Sequence, residues 1–361
     1  MVGKRQRTIT TARRCRGWRR GASSLGVLCL GVTLLAACGS SRSASSSAGA
    51  KGASPVKVTI ALPVDEPVQS PVYLAEKLGF FAQHGVDAHV IVLPSDTADN
   101  AALLAGSVQY TSVNAVALVH ANEKSVPLQD ICTEYNGPAW ALAVSQKVIN
   151  RDHLISGMDV RQLFSDLHGQ KVAIVGTAVS APGLILTGLL KQNGLSPGSL
   201  TLVGVSSSPA LGSAFSHGEV AAVFDTQPIP DRLVQQTPGQ VIFDTTQLTA
   251  LANVPWEGIL STRSYIASHP TADRAVCAAI GQADNFLLHH PSSAVKDLQS
   301  TFPSLTPGLL KDALMSYHWA PDGTMTASQW TTGVRLLAAF GFFKPPSAAV
   351  VQRIYSTAYL P

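Results

Sequence analysis

The feature that most constrains the fold is a strand–loop–helix–strand pattern that occurs twice along the chain. In the first unit, the alternating segment Val56–Leu62 predicts a strand, Tyr73–Leu78 a helix and Ala88–Leu93 a second strand. In the second unit, Lys171–Val175 and Leu202–Val205 predict strands on either side of another helix. Strands that alternate with helices are typical of a parallel α/β sheet. The repeat therefore predicts two α/β lobes of similar design.

Two further segments are expected to link these lobes. Trp140–Val144 predicts an outgoing connector strand, and Gly258–Thr262 predicts the strand that returns. From Thr271 onward the apolar spacing is helical, and we expect these helices to pack on the first lobe. The predicted domains are the first part of lobe one, then lobe two, then the remainder of lobe one with its C-terminal helices: 55–146, 147–255 and 256–361.

Residues 1–37 predict a lipoprotein signal peptide. Eight basic residues and no acidic residue precede the uncharged segment Leu25–Ala37, which is shorter than the ~20 residues needed to span a bilayer. The segment Leu35–Cys38 resembles the bacterial lipobox, which implies that Cys38 carries lipid and tethers the protein to the bilayer. Ordinary cleavage beside a cysteine is the alternative. Residues 38–54 are rich in serine and predict a flexible tether.

Charge and cysteine content limit the possible partners and the compartment. Removing the eight basic residues of the leader lowers the formal charge from +4 to −4, so no basic surface for nucleic acid is expected. Hydrophobic residues make up 46% of the chain, which is enough for a substantial core. Cys132 and Cys277 lie in the exported part, where a disulfide would persist. The sequence leaves open whether they pair or are two small buried side chains.

Five segments of the mature chain follow one another in a familiar order. They are SPVYLAEKLGFFAQHGVDAHVIVL, LLAGSVQYTSV, DLHGQKVAIVG, LLKQNGLSPGSLTLVGV and SHGEVAAVFDTQP. The set resembles substrate-binding proteins of ABC importers, of the type that serves nitrate, sulfonates, taurine and thiamine-precursor pyrimidines. The resemblance implies an α/β, two-lobed periplasmic-binding-protein fold (type II, Venus-flytrap). It also implies a small-molecule ligand in the cleft and delivery to ABC permease subunits at the extracytoplasmic face of the membrane. We expect a monomer with no cofactor and no metal ion.

Candidate ligand-binding residues lie where strands end and helices begin, because open parallel sheets bind ligands at that edge. The candidates in lobe one are Asp65, Gln69, Ser70, Tyr73, Asp96, Thr97 and Asn114. Those in lobe two are Thr177, Ser180 and Asp225, and Tyr135 and Trp256 lie near the connectors. Each type of residue also has a purely structural explanation. The serines and aspartates are typical helix caps, and the aromatic side chains are typical of a core or a covered hinge.

The same loops contain acidic residues and no lysine or arginine. Asp65, Glu66, Asp96 and Asp225 therefore favour a donor-rich or cationic ligand, such as an amine or aminopyrimidine, although backbone N–H groups can also hold an anion. An enzyme is not expected. The S-x-x-K match at Ser293–Lys296 lacks the accompanying motifs of serine acylases. The related thiamine-pyrimidine synthases carry a clustered cysteine motif that this chain lacks. A tethered ligand sensor remains an alternative to an importer component.

Overall fold

The computed structural model describes residues 54–93 and 96–361, without the side chains at positions 96 and 97. The predicted signal peptide, Cys38 and the tether up to residue 53 lie outside the described residues. The described chain alternates between strands and helices, as the sequence pattern predicts. None of its helices is both long and apolar enough to cross a membrane.

The described strands form two separate sheets. In chain order they are β1 (Val56–Leu62), β2 (Val86–Val92), β3 (Tyr110–Asn114), β4 (Leu128–Asn136), β5 (Trp140–Ser145), β6 (Lys171–Val175), β7 (Thr201–Val205), β8 (Ala222–Thr226), β9 (Gly239–Asp244), β10 (Pro255–Thr262) and β11 (His318–Trp319).

The first sheet has the order β11-β4-β10-β3-β1-β2. Strands β1, β2 and β3 run parallel, with Val56 opposite Val86 and Ile60 opposite Tyr110. The returning strand β10 lies antiparallel between β3 and β4. Because β10 runs the other way, its first residues lie beside the carboxyl ends of its neighbours. Residue Glu257 is therefore placed at the binding edge predicted for the parallel strands.

The second sheet has the order β7-β6-β8-β5-β9. Strand β6 runs parallel to β7 and β8, whereas β5 runs antiparallel to β8 and β9. The predicted connector Trp140–Val144 is thus an internal strand of the second sheet. Its alternating side chains face two cores. Leu142 belongs to the main core and Ala143 to a smaller cluster with Leu211 and Phe215.

The described α-helices cover the two sheets. In chain order they are α1 (Ser70–Lys77), α2 (Phe80–Gln83), α3 (Asp96–Leu104), α4 (Ala115–Glu123), α5 (Gln146–Asp152), α6 (Val160–Asp166), α7 (Ala181–Gln192), α8 (Ser208–Ser216), α9 (Ile229–Gln236), α10 (Arg263–Ser268), α11 (Pro270–His289), α12 (Pro291–Leu298), α13 (Pro307–Ser316), α14 (Ala327–Ala339) and α15 (Ala348–Val351).

The C-terminal helices pack on the first sheet, as predicted. Helix α11 contacts α1 and β4, while α14 contacts β10. A disulfide between Cys132 and Cys277 joins β4 to α11, with a Cα–Cα distance of 5.6 Å. The pairing that the sequence left open is therefore present in the structure.

The sequence predicts the C-terminal ends of the helices more accurately than their N-terminal ends. Gly106 and Gly218 both have φ of +71°, so each follows its helix in the left-handed conformation that glycine adopts without strain. The prediction that Ser70 caps α1 is wrong by one position. Gln69 holds the cap position, and the Ser70 hydroxyl donates instead to the Pro67 carbonyl at 2.6 Å.

The chain passes between the sheets at residues 137–139 and 245–254. Gly137 has φ of +70°, and a Cβ there would lie 2.9 Å from the carbonyl oxygen of Leu251 in the other crossing. The two crossings therefore approach each other closely. Trp256 packs beside them against Trp140 and Phe342, at ring-centroid distances of 5.4 and 5.9 Å.

Candidate functional site

The loop after β1 presents a buried polar side chain with no partner. Gln69 and Ser70 are both fully buried. The Ser70 hydroxyl is satisfied by the Pro67 carbonyl, whereas neither amide atom of Gln69 has a hydrogen-bond partner. An unpaired buried amide is costly, so Gln69 is the candidate of this loop that a bound ligand would most directly satisfy.

Asp65 and Tyr73 interact with each other. The Tyr73 hydroxyl donates to Asp65 Oδ1 at 2.8 Å, and its ring meets the Phe302 ring edge-on at 5.6 Å. Burial and the nearby Asp65 carboxylate raise the pKa of Tyr73. The pair holds the loop after β1 against α1, and this contact accounts for both side chains without a ligand.

Of the remaining candidates of the first sheet, the structure describes the side chain of Asn114 but not those of Asp96 and Thr97. Asp96 begins α3 and Thr97 follows it, but their side chains are outside the described part of the chain. Asn114 ends β3 and caps α4, with its Oδ1 accepting from the Ala117 N–H at 3.0 Å. Asn114 also lies opposite Glu257 in the sheet, which places it at the binding edge.

Tyr135 and Trp256 are both buried aromatic residues near the crossings. The Tyr135 ring contacts Tyr317 at 5.1 Å and Trp319 at 5.9 Å. Trp256 is enclosed by the aromatic contacts at the crossings described above. Tyr135 thus belongs to an aromatic group on the first-sheet side, and Trp256 belongs to the packing between the two sheets.

In the second sheet, Thr177 and Ser180 lie in the loop between β6 and α7. The Ser180 hydroxyl donates to the Thr177 carbonyl at 2.7 Å and accepts from the Thr177 N–H at 3.2 Å. Ser180 holds the cap position of α7 but makes no side-chain cap hydrogen bond. These contacts order the loop internally. They leave the N-terminus of α7 without a capping side chain.

Asp225 is the candidate of the second sheet that lies deepest. It is 7% exposed, near the end of β8. Its Oδ1 accepts from the Thr226 N–H at 2.8 Å, while Oδ2 is buried without a hydrogen-bond partner. Burial raises the pKa of Asp225 to about 6. The Thr226 N–H, the Ser208 hydroxyl and the positive charge of Arg232 lower this pKa, but by less than burial raises it.

The charge of Asp225 acts on Glu66, which lies in the loop after β1. Burial first and the negative charge of Asp225 second raise the pKa of Glu66 to about 8. Arg232 on α9 opposes this shift, and Asp65 adds to it. A small cavity of about 90 Å³ lies here, lined in part by Glu66, Pro228 and Arg232. The loop after β1 and the loop after β8 therefore face each other.

Tyr317 links the two sides directly. It follows α13 on the first-sheet side, and its hydroxyl donates to the Gln227 carbonyl at 2.6 Å in a buried hydrogen bond. Burial raises the pKa of Tyr317, and the charges of four carboxylates add to this effect. Those carboxylates come from both sheets and are Glu66, Glu257, Asp225 and Asp244. We call these four acids, with Tyr317 and Gln227, the seam.

Most residues of the seam are not among the candidates predicted from the sequence. Asp225 is a candidate, and Glu66 was considered only for its charge. The residues that were not predicted are Gln227, Asp244, Glu257 and Tyr317. Asp225 and Gln227 share the short segment FDTQP, in which Asp225 lies near the end of a buried strand and Gln227 directly follows it, and this signal was available. The other three residues reach the seam through pairing of distant strands and packing of α13. No local pattern marks those contacts.

The described residues contain no group of three or more histidine, cysteine, aspartate or glutamate side chains arranged to hold a metal ion. What the seam offers is hydrogen-bond acceptors and carboxylates on both sides of a closed gap. Such an arrangement can enclose a small molecule and contact it from two sides.

Comparison with known proteins identifies the family and the fold of this chain. A family model described as NMT1/THI5 like matches residues 66–294. The periplasmic aliphatic sulphonate binding protein SsuA from Escherichia coli is 19% identical with a TM-score of 0.66, over 85% of this chain and 99% of that one. No curated protein matches the chain in sequence.

Two further solved structures are similar over most of their length. The periplasmic nitrate-binding protein NrtA from Synechocystis PCC 6803 is 12% identical with a TM-score of 0.62, over 84% of this chain and 87% of that one. A Candida albicans protein described as having the generic periplasmic binding protein fold is 13% identical with a TM-score of 0.65, over 85% and 97%. The two-lobed periplasmic-binding-protein fold predicted from the sequence is therefore confirmed, and the chain belongs to the NMT1/THI5-like family.

Proposed function

We propose that this protein is the lipid-anchored, extracytoplasmic substrate-binding component of an ABC importer. It captures a small molecule between its two lobes and delivers it to permease subunits in the membrane. The observation that carries this proposal is the seam. Residues from both sheets converge there, and buried polar atoms of Asp225 and Gln227 lack partners.

The contact from two sides explains how binding could be signalled to a permease. A ligand can favour a closed state only if it gains contacts there that the open state lacks. Glu66 and Tyr317 lie on one side of the seam and Asp225 and Gln227 on the other, so an enclosed ligand would touch both. Lobe closure then becomes the signal that the protein is loaded.

We place the lobe boundaries at the two crossings, residues 137–139 and 245–254. Strand β5 pairs with β8 and β9, which supports assigning it to lobe two together with residues up to the return crossing. Close packing of Gly137 on Leu251 supports a hinge in which both crossings bend together. We expect the protein to work as a monomer.

Membrane attachment is proposed through Cys38, on the basis of the segment Leu35–Cys38 that resembles a lipobox. Labelling cells that express the full chain with radioactive palmitate tests this. We expect label in the wild-type membrane fraction and none in Cys38→Ala, which should appear in the medium or periplasm. Equal membrane attachment of both proteins would contradict the proposed anchor.

Binding without chemical conversion is the proposed activity. The solved structures with this fold include proteins described as sulfonate-binding and nitrate-binding, which supports a binding role. Thermal unfolding of residues 52–361, which form one compact unit, tests it against sulfonates, nitrate, amines, aminopyrimidines and flavins. A ligand at ~100 times its Kd adds about 2.7 kcal/mol to the free energy of unfolding, which gives a visible shift of Tm. Recovery of that ligand unchanged after incubation supports binding, and its conversion would favour an enzyme.

A further inference from the structure

The unpaired buried atoms at the seam show what a ligand must supply. Gln227 is 4% exposed, and its Nε2 donates to Asp244 Oδ2 at 3.3 Å. The amide therefore lies within the seam, yet its Oε1 has no partner. Asp225 Oδ2 is likewise buried without a partner. Both atoms are acceptors, so a ligand that satisfies them must bring hydrogen-bond donors.

The charges at the seam also favour a ligand with hydrogen-bond donors. Glu66 lines the cavity between the loops after β1 and β8, and the charge of Asp225, near the end of β8, raises its pKa. The charges of Glu66, Asp225, Asp244 and Glu257 together raise the pKa of Tyr317. Arg232 is the basic side chain that acts on the carboxyl groups of both Glu66 and Asp225, but its effect on their pKa values is smaller than that of burial. No ion pair within the described part of the chain includes Arg232.

We propose that the ligand is a small organic cation with N–H donors, of the ammonium or guanidinium class, held between Glu66 and Asp225. This inference rests on the proposed function and names the substrate class for the same cleft. The donors of the cation would bind Asp225 Oδ2 and Gln227 Oε1, and its charge would offset the carboxylates of Glu66 and Asp225.

The physical reason is the cost of closing the seam without a cation. In an open cleft, water solvates both carboxylates and screens them from each other. Closure removes that water and brings like charges together. Arg232, which lines the cavity, offsets at most one of the two charges, so the other carboxyl must take up a proton or meet a further cation. A cation that binds both groups through charge-assisted hydrogen bonds removes this penalty. The cation thus acts as the trigger for closure.

An anion would have the opposite effect. Two relatives of the same fold are described as binding sulphonates and nitrate, which carry negative charge. At this seam an anion would add negative charge beside four acidic side chains and one basic side chain, Arg232. The chain therefore shares the fold of these proteins but presents the opposite electrostatic preference.

The test is calorimetric titration of residues 52–361 with methylammonium, putrescine and agmatine chlorides. Sodium methanesulfonate and sodium nitrate are the anionic probes, and sodium chloride matches the ionic strength. We expect at least one cation to bind and neither anion to do so. Glu66→Gln and Asp225→Asn should each weaken the cation by at least about tenfold, since each removes a charge-assisted bond. Glu219→Gln, which changes an exposed acid, is the matched control and should bind as the wild type does.

The possible outcomes distinguish failure of the cationic ligand class from failure of the proposed substrate-binding function. Binding of methanesulfonate or nitrate without binding of a cation would overturn the cationic class and leave a substrate-binding role intact. A cation that binds Glu66→Gln and Asp225→Asn as tightly as wild type would overturn its placement between them. Binding of neither class would overturn the inference, and the wider thermal panel would then decide the function alone. Thermal unfolding without ligand verifies that both neutral variants are folded.

Discussion

Replacing Glu134 with glutamine should remove the share of this protein's pH-dependent loss of stability that comes from this one buried carboxyl group. Glu134 lies on β4, is fully buried, and accepts a hydrogen bond from Ser112 through Oε2, while its Oε1 has no partner. Burial raises its pKa to about 8 from an ordinary value of 4.5. Asp284 on α11 is buried nearby with both carboxylate oxygens unpaired, and the charge of Glu134 raises its pKa further.

The sign and size of the effect follow from proton linkage. Below pH 4.5 both the folded and the unfolded chain keep the Glu134 proton, so ionisation contributes no difference. Between pH 4.5 and 8 the unfolded chain loses this proton and the folded chain retains it, so the free energy of unfolding falls as pH rises. The shift to about 8 corresponds to about 4–5 kcal/mol over that interval, at 1.36 kcal/mol for each pKa unit.

Glutamine keeps the shape of the protonated acid but has no proton to lose. Its Oε1 can accept from Ser112 as Glu134 Oε2 does, and its Nε2 takes the position of Oε1, near enough to Asp284 for the two side chains to interact electrostatically. Glu134→Gln should therefore match the wild type near pH 4.5 and exceed its stability by several kcal/mol at pH 8. Glu219→Gln is the control for a lost exposed carboxylate and should follow the wild-type profile.

Urea unfolding of residues 52–361 at half-unit steps from pH 4.5 to 8, with the disulfide kept oxidised, measures the effect. Parallel stability profiles of Glu134→Gln and wild type would mean that Glu134 ionises in the folded protein as it does in the unfolded chain. A variant that is less stable than the wild type at pH 8 would mean that the carboxyl group itself stabilises the fold there. Either result would contradict the prediction.

Three further changes test other contacts. Tyr317→Phe leaves the buried Gln227 carbonyl without its donor, so we expect a loss of about 1–3 kcal/mol in urea unfolding, and unchanged stability would contradict the cross-seam bond. Gly188→Ala places a Cβ 2.2 Å from the Phe340 carbonyl oxygen, so Tm should fall; a rise would show that ordinary helix propensity decides there. Cys277→Ala removes a disulfide between residues 145 positions apart and should cost about 2–5 kcal/mol, and a Tm that matches that of the oxidised wild type would contradict this.

The strand pattern was predictable because it depends on local alternation and turn residues. The predicted bounds of Val56–Leu62 and Lys171–Val175 agree with β1 and β6. The glycines that end helices were equally predictable, because the left-handed conformation at a helix end depends on that one residue. The connector role predicted for Trp140–Val144 missed its place inside the second sheet, because pairing with β8 and β9 depends on residues far away in sequence.

The candidate site was predictable only at the carboxyl ends of parallel strands and in the loops that follow them. Asp225 lies near the end of β8 and Gln69 in the loop between β1 and α1, and both are buried with unpaired atoms. Glu257 reaches the binding edge because β10 is antiparallel, and Tyr317 reaches it through the packing of α13. Neither position carries a local sign of its role, so the rule for parallel strands could not find them.

Ligand capture between two lobes is tested most directly by a crystal structure of residues 52–361 grown with the tightest-binding compound from the thermal panel. We expect electron density for that compound between the two sheets, in contact with Asp225 and Gln227 on one side and Glu66 on the other. Density for the compound at any other place, with the seam closed and empty, would contradict the claim that this protein captures its ligand between two lobes.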